Sequence, residues 1–346
     1  MIWNGAPLPF SRAEALHAKD GTPTMSTTPA TTTDTPIVHA LDAVVGTGAP
    51  VVSVAPVTLD APGRARPLEV RVSAPATGTD LPVLLFSHGN GWSYDGYAPL
   101  TAFWASRGFV VVQPTHLDSR RDGIAFDDPR FGQVWERRRE DLVAVLDQLG
   151  TVESAVPGLA GRVDRDAVVA AGHSWGGQTV QMLLGARVLD DAGRPGPDWT
   201  DRRVRAGVLL ATSGVAGDDL HPFAREHFPF MNPSFAELTT PTLVVAGDQD
   251  QSQLSGRGPD WFTDAYTHAP GATDLLTLFG AAHGLGGISN WEAAETTDEN
   301  PERVAVLQRL TTAYLRTALE VADPAWARAT ATLADVGGAV GRVETK

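Results

Sequence analysis

The chain has 346 residues, a formal net charge of −14, no cysteine, 42% hydrophobic and 20% charged residues. These are ordinary globular proportions, at a length that buries one large core or two smaller ones without covalent staples. The absence of thiols excludes disulfides, thiolate metal sites and a cysteine nucleophile, and the acidic balance argues against nucleic acid as a partner.

Residues 1–36 come first, and 22–35 (TPTMSTTPATTTDT) are low-complexity threonine and proline. Such a segment has little apolar area to offset its ordering entropy, so 1–36 is expected to be disordered, with Met1 and Met25 both open as the start. Residues 37–346 are expected to form a single domain. Arg12, Glu14, Lys19 and Asp20 interrupt any signal-peptide layout, and no run of about 18 apolar residues exists. A cytoplasmic location without a membrane span is the default expectation.

Arg66–Ala74 alternates like a half-buried strand, and Leu81–Ser87 (LPVLLFS) is a continuous apolar run suited to a strand covered on both faces. It runs into His88-Gly89-Asn90-Gly91-Trp92. Pro99–Arg107 reads as a helix closed by Gly108, and Phe109–Gln113 as another buried strand, after which His116 and Asp118 could line a cleft. Phe131–Leu149 reads as one long helix, with Val134, Leu142, Val145, Leu146 and Leu149 on one side and Gly150 beyond its end. Asp166–Gly172 is a strand and Gly176–Leu189 a helix. Val204–Ala211, Thr242–Ala246 and Asp274–Phe279 are further strands, and Pro301–Ala318 is a closing helix. The basic clusters at Arg120-Arg121, Arg137–Arg139 and Arg202-Arg203 are interleaved with acids and read as solvated faces. Strand alternating with helix predicts a doubly wound α/β fold with a mostly parallel sheet and short cap loops. Ligands in such folds sit at the carboxyl ends of the strands.

The chemistry-bearing residues fall at those ends. Gly172-His173-Ser174-Trp175-Gly176 is a Gly-x-Ser-x-Gly turn between a strand and a helix, and it makes Ser174 the candidate nucleophile. The backbone N–H of Trp175 then faces a developing oxyanion at a helix N-terminus. The His-Gly-x-Gly turn after Leu81–Ser87 supplies the second oxyanion donor, at Asn90 or else Gly91, with His88 tying the loop down. A serine hydroxyl needs a base and an orienting carboxylate. Gly247-Asp248-Gln249-Asp250 offers two aspartates, of which Asp250 is favoured over Asp248. His283, on a loop of small residues after Asp274–Phe279, is favoured as base over His268, which precedes that strand. Trp92 and Tyr94, near the oxyanion turn, and Phe228 and Phe230, in the aromatic segment 213–238, are expected to line an apolar pocket. No histidine pair has metal-ligand spacing, so no metal and no cofactor is expected.

At LLFSHGNGWSYDGYAPLTAFWASRGFVVVQPTHLDS, RREDLVAVLDQL, AGHSWGGQTV, PTLVVAGDQD and FGAAHG the chain resembles α/β-hydrolases. The likeness is to the group of predicted dienelactone hydrolases, chlorophyllase-like enzymes and platelet-activating-factor acetylhydrolase relatives, and it spans about residues 66 to 320. Dienelactone hydrolases proper use a cysteine nucleophile, which this chain lacks. The resemblance implies a Ser174–His283–Asp250 triad, an oxyanion hole from the amides of Asn90 and Trp175, and hydrolysis of a small-molecule carboxylic ester or related acyl bond through an acyl-enzyme. Acyl transfer, lyase or perhydrolase chemistry on the same triad, or a binding protein on a hydrolase scaffold, are the alternatives. Oligomeric state is not legible.

Overall fold

The computed structural model describes residues 34–64, 66–121, 124, 127–290, 296–319 and 324–346. The disorder expected of 1–36 and the choice between Met1 and Met25 therefore fall almost wholly outside the described residues. The described elements, in chain order, begin with α1 (Pro36–Val45), β1 (Val51–Leu59), β2 (Leu68–Pro75), β3 (Leu81–Ser87), α2 (Ala98–Ser106) and β4 (Val110–Pro114). They continue with α3 (Val134–Asp147), α4 (Leu149–Ala155), β5 (Val163–His173), α5 (Trp175–Leu184), β6 (Arg187–Val188), β7 (Val204–Leu210) and α6 (Pro222–His227). The last are β8 (Pro233–Ser234), β9 (Thr242–Gly247), α7 (Asp264–His268), β10 (Asp274–Leu278), α8 (Pro301–Ala318), α9 (Ala325–Val336) and β11 (Gly341–Thr345).

Among the described residues one nine-stranded sheet runs in the order β1-β2-β4-β3-β5-β7-β9-β10-β11. The strands from β4 to β10 pair in parallel, while β1, β2 and β11 add antiparallel edges. The parallel centre follows from the apolar runs: every residue of β3, β4 and β9 is buried, as a strand covered on both faces requires. From β3 the chain crosses through α2 to β4 on one side, then through α3 and α4 to β5 on the other. Right-handed crossovers place α2 and α3 on opposite faces. Helices α1, α8 and α9 pack together on the α2 side, and α5 packs with α3. This is the α/β-hydrolase arrangement.

Two helices differ from the sequence pattern. The run expected as one helix over 131–149 is a 3-10 turn at Phe131–Gln133, then α3, then α4. The chain breaks at Gln148, whose amide is spent on both main-chain groups of Asp60, and Gly150 sits inside α4 rather than beyond a helix end. The helix expected to reach Leu189 stops at Leu184. Gly185 adopts φ 118° there, and residues 187–188 pair with 233–234 as a two-stranded ribbon. The strand Asp274–Phe279, read as the last, is followed by α9 and β11. No described helix is long and apolar enough to cross a membrane.

Candidate active site

β5 ends at His173 and α5 begins at Trp175, so a single residue, Ser174, makes the corner. Its backbone sits at φ 55°, ψ −122°, a conformation that costs a non-glycine residue about 1–3 kcal/mol unless its surroundings enforce it. They do. A β-carbon on Gly172 would collide with the Gly176 carbonyl, and one on Gly176 with the carbonyls of Ser87 and His88. On Gly177 it would lie 2.8 Å from Thr212 Cβ. The Ser174 N–H donates to the Leu210 carbonyl at 2.9 Å. The elbow is thus wedged between the ends of β3 and β7, and the glycines are what let it fit.

His283 lies on the loop after β10. Its Nε2 is 2.8 Å from Ser174 Oγ, and its Nδ1 is 2.9 Å from Asp250 Oδ2. Asp250 follows β9 and is fully buried, whereas the His283 side chain is 43% exposed. The structure therefore brings Ser174, His283 and Asp250 together and leaves Asp248 outside: its Oδ1 accepts the Gly280 N–H at 2.7 Å. His268 ends α7, ahead of β10. Sequence reading missed Asp298. Its Oδ2 accepts the N–H groups of Ala282 at 2.9 Å and Gly286 at 3.0 Å, and pairs with Arg303 at 3.1 Å. It holds the loop that carries His283 from beneath, and nothing in its local sequence marks it.

The loop after β3 is held by a buried polar scaffold. His88 donates from Nδ1 to the Gly89 carbonyl at 2.7 Å, while its Nε2 accepts the His116 N–H at 3.1 Å. The Arg138 guanidinium, fully buried, donates to the His88 carbonyl and pairs with Asp118 at 2.7 Å. Asp118 in turn accepts the Gly91 N–H at 3.1 Å. Beneath them His116 bridges Ser87 Oγ at 2.9 Å and Asp141 Oδ2 at 2.8 Å. That set has the residue types of a serine triad, but Ser87 and His116 are wholly buried and no substrate reaches them. His116 and Asp118, read as cleft residues, are instead the buried underside of the loop after β3. Burial holds His88 and His116 well below the ordinary histidine pKa, so both stay neutral. Among the described residues, no acceptor takes the backbone N–H of Asn90 or of Trp175.

Of the four residues expected in a pocket, two gather around Trp175. Phe230 stacks on the indole at 5.4 Å and 14°, and Phe228 meets it edge-on at 6.3 Å. Arg138 lies 5.0 Å over the indole ring, and Trp135 stacks on Phe230 at 5.5 Å. Trp92 packs edge-on against Tyr97 at 5.8 Å. Tyr94 differs: it is buried with the guanidinium groups of Arg71 and Arg121 5.5 and 4.8 Å from its ring centre, and its N–H donates to Thr115. Among the described residues no cluster of three histidines or carboxylates is disposed to hold a metal ion.

The chlorophyllase family model matches residues 41–188. That span takes in the loop after β3 and the elbow but ends before Asp250 and His283. Over 204 residues the chain is 24% identical to platelet-activating factor acetylhydrolase of Cavia porcellus, which covers 49% of this chain and 44% of that protein. The chain thus matches less than half the length of that curated relative.

Proposed function

We propose that this chain, an α/β-hydrolase resembling the chlorophyllase family and an acetylhydrolase, is a serine esterase that cleaves a small-molecule carboxylic ester. One observation carries the reading: Ser174 Oγ, His283 and Asp250 are joined by contacts of 2.8 and 2.9 Å, on a strained elbow that faces an accessible histidine. Ser174 Oγ attacks the ester carbonyl carbon while His283 Nε2 takes its proton. The oxygen that becomes negative accepts the backbone N–H groups of Asn90 and Trp175. Asp250 offsets the charge on the imidazolium, which then protonates the departing alkoxide. Water, deprotonated by His283, attacks the acyl-enzyme and frees the acid and Ser174. The scheme needs no cofactor. The aromatic surroundings of Trp175 support an ester with an apolar acyl or alcohol part.

A p-nitrophenyl ester series from acetate to decanoate tests the reading. Turnover is expected on at least one member, with the chain-length profile sizing the pocket. No turnover on any member would count against an esterase.

A further inference from the structure

The residue before the nucleophile is a buried histidine that this scheme does not use. His173 ends β5 and is 5% exposed. Its Nε2 lies 2.8 Å from the main-chain oxygen of His283, 110 residues away, and its Nδ1 lies 2.8 Å from the Tyr97 hydroxyl. The Tyr97 oxygen also accepts the Gly89 N–H at 3.0 Å. The directions follow from the chemistry of the groups. A carbonyl oxygen only accepts, so Nε2 carries the proton, and Nδ1 of a neutral imidazole must then accept. The Tyr97 O–H therefore donates to Nδ1, and a lone pair on its oxygen takes the Gly89 N–H. Gly89 to Tyr97 to His173 to His283 is a single chain of donors and acceptors with no conflict in it.

We propose that His173, oriented by Tyr97, is a positioning residue that sets the base loop in register with the nucleophile elbow and the oxyanion loop. The proposal rests on the esterase reading for its catalytic consequence. Among the described residues, the His173–His283 bond joins the main chain of the base loop directly to the nucleophile's own strand. Tyr97 also reaches that loop directly, through its N–H to the Ser289 carbonyl at 2.7 Å. It is fully buried against Phe86 and holds a left-handed backbone at φ 63°. The chain also demands a glycine at 89, because a β-carbon there would lie 2.8 Å from the Tyr97 oxygen and 3.4 Å from His173 Nδ1. Burial, and secondly the facing His283, push the His173 pKa down to about 3, so it keeps one donor and one acceptor at neutral pH. The Ser174–His283 contact joins two loops from distant parts of the chain, and a displacement of about 1 Å in such a contact costs roughly 100-fold in rate.

The experiment pairs kinetics with histidine nitrogen NMR on the full chain, using Tyr97→Phe, which removes one oxygen, and His173→Gln and His173→Phe. Glutamine keeps an N–H donor near the Nε2 position, and phenylalanine keeps only the ring. The expected result for Tyr97→Phe is a fall in kcat of about 10-fold or more at nearly unchanged KM, with displaced His283 nitrogen resonances. His173→Gln should retain more kcat than His173→Phe. A kcat within about 2-fold of wild type in both Tyr97→Phe and His173→Phe, with the His283 resonances unmoved, overturns the proposal. If the wild type hydrolyses no ester but those resonances still shift in Tyr97→Phe, the register device stands and the esterase reading falls.

Discussion

Asp248 and Asp250 sit two positions apart after one strand, yet they do different work. Asp250 Oδ2 meets His283 Nδ1, while Asp248 caps the Gly280 N–H at the foot of the same loop. An asparagine at 250 could donate to Nδ1, so the ring would present the wrong nitrogen to Ser174. Asp250→Asn should lower kcat by about 10³ to 10⁴, as in other serine triads. Asp248→Asn should stay within about 10-fold, because it loosens an anchor and leaves the triad intact. Equal losses in the two variants would contradict the assignment. At this scale the elbow was legible because its Gly-x-Ser-x-Gly spacing lies within five consecutive residues, although the contacts that impose Gly176 and Gly177 come from the distant ends of β3 and β7. The order of serine, acid and histidine narrowed the acid to two candidates. The contacts of Tyr97 and His173 were not legible, since the Tyr97–His173 and His173–His283 pairs meet only once the sheet is folded, and that of Asp298 depends on the fold of its own irregular loop.

The elements that sequence read best are those buried on both faces. β3, β4 and β9 are unbroken apolar runs, and burial leaves their type little freedom. β1 passed unread because it is an edge strand, half exposed, with Pro56 within it. α1, α9 and β11 lie outside the alternating core that guided the reading. The break between α3 and α4 could not be read, because Gln148 is drawn off by Asp60, 88 residues away. The early end of α5 was within reach. Gly185 is a left-handed helix stop, but the apolar residues after it extended the helical pattern. The segment Asp118–Gln133, which from sequence could cap the cleft, includes residues 122–123 and 125–126, outside the described residues. Its remainder supplies Asp118 to the scaffold and Phe131 to the aromatic cluster.

The whole molecule carries an acidic surface over an interior that holds three neutral histidines, His88, His116 and His173. In the unfolded chain each would titrate near the ordinary value of about 6.5. In the fold burial depresses all three, His173 to about 3. Below about pH 6.5 the unfolded state therefore binds protons that the folded state refuses, and stability falls as pH falls, by up to about 1.4 kcal/mol per unit for each histidine. Asp141 opposes them, because burial raises its pKa to about 6 despite its partner Arg64, but it is one group against three. In about 0.5 M salt, which screens the surface acids, the melting temperature should drop between about pH 7 and about pH 5. A flat or rising profile would contradict this account of the interior. Ester hydrolysis by the wild type beside Ser174→Ala is the decisive comparison for the proposed nucleophile. Loss of the nucleophile should lower kcat by several orders of magnitude, about 10⁴ or more, while the fold is retained. An alanine variant that turns over esters as fast as the wild type would show that Ser174 is not the nucleophile.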